Sequence, residues 1–155
     1  MPNPIPQRRT ETGFTLIELV VAIAILAIIL GLAVPSMQSY ILNQRVRNAT
    51  FDLTSDLLYT RGEATKRNAD VLIAATGGSW QNGWTISAGG VTLKERQIIR
   101  DLAVAATGAT ITFRHNGRLA GNAQQRFDLT TSATTTGVTP RCLIVNTSGK
   151  VSSEC

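Results

Sequence analysis

Gly13-Phe14-Thr15-Leu16-Ile17-Glu18 opens an apolar run that carries no further charge through Val34. Read as a helix, residues 14–34 cover about 32 Å, against a bilayer hydrocarbon core of about 30 Å. The run is rich in Ile, Leu, Val and Ala and lacks the polar face of an interfacial helix. The pattern predicts a segment that crosses a membrane once. Glu18 is the anomaly in it. A carboxylate at the bilayer centre is disfavoured by roughly 2.5–3.5 kcal/mol, less near the edge, and such a group usually has a partner. Three readings are open at this point. A secretory signal has a shorter apolar core and a small-residue cleavage site. A plain anchor matches the length but gives no reason for Glu18. The third cleaves at Gly13/Phe14 and keeps the helix.

The same six residues resemble the processing site of type IV pilins and type II secretion pseudopilins, the class III signal. The resemblance implies a leader of residues 1–13, prepilin peptidase cleavage after Gly13 and N-methylation of Phe14. It also implies that Glu18 serves subunit assembly, pairing with the amino terminus of a neighbouring chain. Two poorly solvated charges are then neutralised together. Glu18 has a plainer reading as well, as an interfacial carboxylate that reaches the head groups. Arg8 and Arg9 precede the run while Arg45 and Arg47 follow it, so charge does not settle orientation. The leader resemblance puts the amino terminus in the cytoplasm, residues 14–34 in the inner membrane or a filament core, and everything after about Pro35 in the periplasm.

Residues 35–155 suffice for one small domain and not two. Gly31 and Pro35 interrupt the end of the apolar run, and proline removes a helical hydrogen bond, so a kink is predicted there. Beyond it Val46, Ala49, Leu53, Leu57, Thr60 and Ala64 recur at three- and four-residue steps. Arg45, Arg47, Asp52, Asp56, Arg61 and Glu63 fall mostly off that stripe. The helix is therefore expected to run to about Lys66, its second half lying on a sheet. Short β-type runs follow at 70–75, 84–88, 91–93, 97–102, 109–114, 118–120, 126–131 and 141–146, separated by Gly- or Thr-rich turns. His115-Asn116-Gly117 between two such runs predicts a hairpin, because Asn-Gly tolerates the positive φ of a tight turn. The fold class is α+β: a long amino-terminal helix packed against a mainly antiparallel sheet. That class agrees with the type IV pilin fold.

Trp80-Gln81-Asn82-Gly83-Trp84 and the stretch Ile111-Thr112-Phe113-Arg114-His115-Asn116-Gly117-Arg118-Leu119 resemble the FimT/FimU minor pilins and the GspH pseudopilins. The two tryptophans are expected in the core or under a loop. Cys142 and Cys155 are the only cysteines, and in an oxidising periplasm they are expected to form a disulfide. The bridge closes a loop of about 14 residues, worth about 3 kcal/mol in the chain-entropy model. Two thiols and the lone His115 do not make a metal site.

The formal net charge of +5 gives a mildly basic surface, able to attract head groups or nucleic acid. Some FimT-like pilins take part in DNA uptake through a carboxy-terminal Gly-Arg-x-Arg motif. The nearest match here, Gly149-Lys150-Val151-Ser152, keeps one positive charge of the two. Arg114, Arg118 and Lys150 are the candidate DNA-contacting residues, with Arg126 and Arg141 as further cations. No nucleophile elbow, phosphate loop or metal-ligand spacing supports catalysis or a cofactor. The resemblance thus implies a structural subunit, a minor type IV pilin that helps start assembly near the pilus tip. Its partners are other pilins, prepilin peptidase and the inner membrane. A type II secretion pseudopilin is the alternative within the superfamily, and a DNA-binding pilin for natural transformation is a second.

Overall fold

The structure, a computed structural model, describes residues 13–97, 100–133 and 136–153, with backbone alone at 32–36. The chain divides into two units, Met1–Met37 and Gln38–Cys155, and each is taken by itself.

In the first unit, helix α1 (Leu16–Arg67 in full) starts at a side-chain cap. The Glu18 amide donates to Thr15 Oγ1 at 3.3 Å, and the Leu19 amide donates to the Thr15 carbonyl at 3.2 Å. Thr15-x-x-Glu18 is the spacing of a capping box, and an acidic residue in the first turn also complements the helix dipole. The following Leu, Ile and Val side chains are exposed around the whole helix, from Leu16 to Leu30. Helical backbone continues through Gly31 and Pro35. Among the described residues, no helix is long and apolar enough to cross a membrane. The 14–34 run of the sequence takes in residues 32–34, whose side chains lie outside the described ones.

In the second unit the predicted stripe is the buried face of α1: Val46, Ala49, Leu53, Leu57, Thr60 and Ala64 are all at most 5 % exposed. Polar residues survive in this helix because their hydroxyls are satisfied locally. Thr50, Thr54 and Thr60 donate to the carbonyl four residues back at 2.6–2.8 Å. The helix ends where Asn68 takes a φ of 50°. The Ala69 amide reaches the Ala64 carbonyl and the Asn68 amide the Thr65 carbonyl, a Schellman closure. Lys66 and Arg67 in the last turn complement the dipole.

Among the described residues eight strands follow: β1 (Val71–Ala75), β2 (Trp84–Ala88), β3 (Val91–Arg96), β4 (Leu102–Ala106), β5 (Thr110–Phe113), β6 (Gln125–Thr131), β7 (Arg141–Val145) and β8 (Val151–Ser152). They form two four-stranded sheets, ordered β3-β2-β1-β5 and β4-β6-β7-β8, with every pairing antiparallel. Alternation delivers the core. Ile86, Ile73 and Ile111 stand in one register row of the first sheet. Ala106, Phe127 and Leu143 stand in one row of the second.

Three expected strands differ. In the run expected at 97–102, Gln97, Arg100 and Asp101 lie outside any strand, Asp101 with a φ of 62°; residues 98–99 lie outside the described residues, and β4 begins only at Leu102. Residues 118–120 contribute a single bridge, Phe113 to Leu119. Strand β3 continues through Lys94, Glu95 and Arg96, charges that suit the edge position it holds.

Trp80 joins the two sheets. It lies in a 3₁₀ turn (Trp80–Asn82), 2 % exposed, and its Nε1 donates to the Gly108 carbonyl at 2.8 Å. Its ring meets Phe127 edge-on with centroids 4.9 Å apart, and its centroid is 6.1 Å from that of Trp84. Both tryptophans are core residues. Gly83 between them has a φ of 97°, and a Cβ there would collide with the Arg96 carbonyl. The Trp-Gln-Asn-Gly-Trp stretch is thus a wedge whose turn only glycine closes.

Candidate assembly surfaces

The amino-terminal surface is built from few residues. Gly13 and Phe14 precede the helix in irregular backbone, and Phe14 is 88 % exposed. The bond between them is therefore free of helical hydrogen bonding. Glu18 stands exposed one turn further on, with its amide already capped by Thr15. A positive charge at Phe14 would face the positive end of the helix dipole, an unfavourable position. A helix apolar on all sides needs lipid or other helices around it.

In the globular unit one carboxylate that the sequence reading placed off the buried stripe is fully buried. Asp56 accepts from Trp84 Nε1 at 3.0 Å, Lys94 Nζ at 2.5 Å and Arg96 Nε at 3.2 Å. Arg96 also reaches Asp52 at 3.5 Å, and the Lys94 ammonium lies over the Tyr59 ring. Burial pushes the Asp56 carboxyl up, but the hydrogen bonds from Lys94, Arg96 and Trp84 outweigh it and hold the group below its ordinary value. Glu63, only 8 % exposed, is another correction to the same placement; it pairs with Arg67 at 2.6 Å. The signal was present: Asp52 and Asp56 share one helix face, while Lys94 and Arg96 share one strand face.

The candidate DNA-contacting residues are brought partly together. The hairpin at Arg114–Gly117 closes as predicted, with the Gly117 amide on the Arg114 carbonyl and the Arg114 amide on the Arg118 carbonyl, both 2.8 Å. A second turn, closed by the Gly149 amide on the Asn146 carbonyl, abuts it so closely that a Cβ on Gly149 would meet the Gly117 carbonyl. Arg61 Nε lies beside both turns, a cation the sequence reading did not count among the candidates. Arg114, Arg118 and Lys150 are exposed at these turns. Arg126 does not join them, being paired with Asp128 at 2.7 Å, and Arg141 lines a separate groove. Cys142 on β7 is disulfide-bonded, and its expected partner Cys155 lies outside the described residues.

Comparison with known proteins agrees with this architecture. Residues 49–149 match the family described as Type II transport protein GspH, and residues 8–34 match the prokaryotic N-terminal methylation motif. The fimbrial protein EcpC of Eikenella corrodens is 34 % identical over 91 residues; the match covers 54 % of this chain and 59 % of that protein's length. The type IV minor pilin FimU of Pseudomonas aeruginosa shares the fold in two crystal forms. TM-scores are 0.64 and 0.61 at 23 % identity, covering 72 % and 70 % of this chain and 90 % and 92 % of FimU.

Proposed function

Because the chain belongs to the GspH family of type IV minor pilins and pseudopilins, we propose that it is a minor type IV pilin that helps initiate pilus assembly near the tip. Family and fold are those of structural subunits. Prepilin peptidase removes residues 1–13 after Gly13, and Phe14 becomes the methylated amino terminus. Residues 14–34 anchor the chain in the inner membrane, single-pass, with the globular unit in the periplasm. The same helix then enters the filament core, where Glu18 pairs with the Phe14 amine of a neighbour. Gly31 and Pro35 let the helix bend on entry. A Cys142–Cys155 bridge pins the carboxyl end.

One observation supports this reading above the others: a capped helix, apolar and exposed on every side, with its lone carboxylate in the first turn behind an exposed Phe14. The test is the first residue of the protein purified from its host, read by mass spectrometry, together with its recovery in sheared filaments. A first residue other than methylated Phe14 refutes the processing. The family match to a transport protein favours a second reading, a type II secretion pseudopilin. Filament recovery that requires the secretion machinery, and not the pilus machinery, would establish that one.

A further inference from the structure

A groove of about 560 Å³ runs between α1 and the last strands of the second sheet, and its composition singles it out. Phe51 on the helix side is 74 % exposed, a large apolar ring that the domain leaves uncovered. Val151, half-buried on β8, supplies apolar surface opposite it, above the buried Leu143. Arg47 and Arg141 stand on the two sides. Arg141 sits there because its register row is that of Leu129 and Val104, so it faces the helix side of the sheet at its margin. Neither arginine has an ion pair among the described residues. Two unpaired guanidiniums around an apolar surface fit a carboxylate flanked by an apolar side chain.

Charge also bears on whose carboxylate that is. In the described globular unit Asp52, Asp56, Glu63, Asp101 and Asp128 are already paired internally, which leaves Asp70 and Glu95. Against them stand Arg47, Arg61, Arg100, Arg114, Arg118, Arg141 and Lys150, cations without an ion pair among the described residues. A second copy would bring mainly cation against cation, which is repulsive. We infer that the groove docks an acidic segment of a different filament subunit, its carboxylate between Arg47 and Arg141 and its apolar side chain on Phe51 and Val151. The inference rests on the proposed role as a filament subunit and adds that its neighbour at this face is heterologous and acidic.

The experiment replaces Phe51 with p-benzoylphenylalanine in the full-length chain, expressed in its host, and maps the photo-adducts by mass spectrometry. The expected adduct joins position 51 to a different pilin-like chain, within a few residues of an Asp or Glu. Arg47→Glu with Arg141→Glu lowers its yield about tenfold or more, and reversing the partner's acidic residue to Arg restores it. Restoration also shows that the double variant is folded. Adducts between two copies, adducts to the chain's own residues 154–155, or no adduct at all overturn the docking inference while filament recovery of the wild type stands. Loss of that recovery overturns the filament role, and the inference with it.

Discussion

Trp84 Nε1 donates to Asp56 Oδ2 at 3.0 Å, tying strand β2 to helix α1 through a carboxylate with no solvent exposure. Lys94 and Arg96 converge on the same group from β3. Removing the carboxylate leaves three donors facing an apolar helix surface. Asp56→Ala should cost roughly 3 kcal/mol, discounted from a fully buried pair because both cations are about a third exposed. Thermal unfolding of the full-length protein in detergent checks this. A loss within about 0.5 kcal/mol would show that water replaces the cluster without penalty.

The same group sets an acid limit. Its folded pKa lies below its unfolded value of about 3.9. Such a carboxyl contributes its stability above the unfolded pKa and loses it as pH falls through the folded one. Stability should therefore be level above about pH 5 and decline below about pH 4, and the decline should be shallower in Asp56→Asn. Denaturant titrations of both proteins across that range measure the difference. Equal slopes would remove Asp56 as the cause.

Gly83→Ala should be among the most damaging small substitutions in the domain. Its φ of 97° and the Arg96 carbonyl against its Cα leave no room for a methyl group. A cost of about 3 kcal/mol is expected, against about 1 kcal/mol for Gly78→Ala, which has a φ of 79° and open space. Comparing the two unfolding midpoints separates steric collision from backbone preference.

At the amino end, Gly13→Trp should accumulate as an uncleaved precursor, and normal processing of it would refute the leader assignment. Glu18→Val should be processed yet fall out of the sheared filament fraction. Undiminished incorporation would return Glu18 to its plainer part as an interfacial carboxylate that reaches the head groups.

DNA binding is a separate matter of charge. The assembly reading expects no electrophoretic retardation of duplex DNA at about 0.15 M salt, where nonspecific contacts are heavily screened. Retardation that persists there, and disappears in Lys150→Ala and Arg118→Ala, would favour the nucleic-acid reading.

Much of this molecule could be read from its residues. The stripe from Val46 to Ala64 lies on the buried face of the helix because a three-and-four spacing admits one geometry. Asn116-Gly117 closes a hairpin because few other pairs accept its backbone angles. Strand β4 is not legible locally because Ala103, Ala105 and Ala106 have little strand preference, and their pairing with β6 is decided by tertiary contact. The burial of Asp56 leaves no mark in its own helix turn, because the partners that neutralise it lie 28–40 residues away. Division into two sheets was hidden for a similar reason, since it depends on where Trp80 lodges.

That tryptophan has a temporal consequence. Ribosomes deliver the chain amino end first, so β1, β2 and β3 can pair before Phe127 has been synthesised. Until then the indole lacks the ring it meets edge-on and offers a greasy face to whatever passes. A nascent subunit of this design is most prone to clump midway through its own birth, and a holding chaperone has its natural target there.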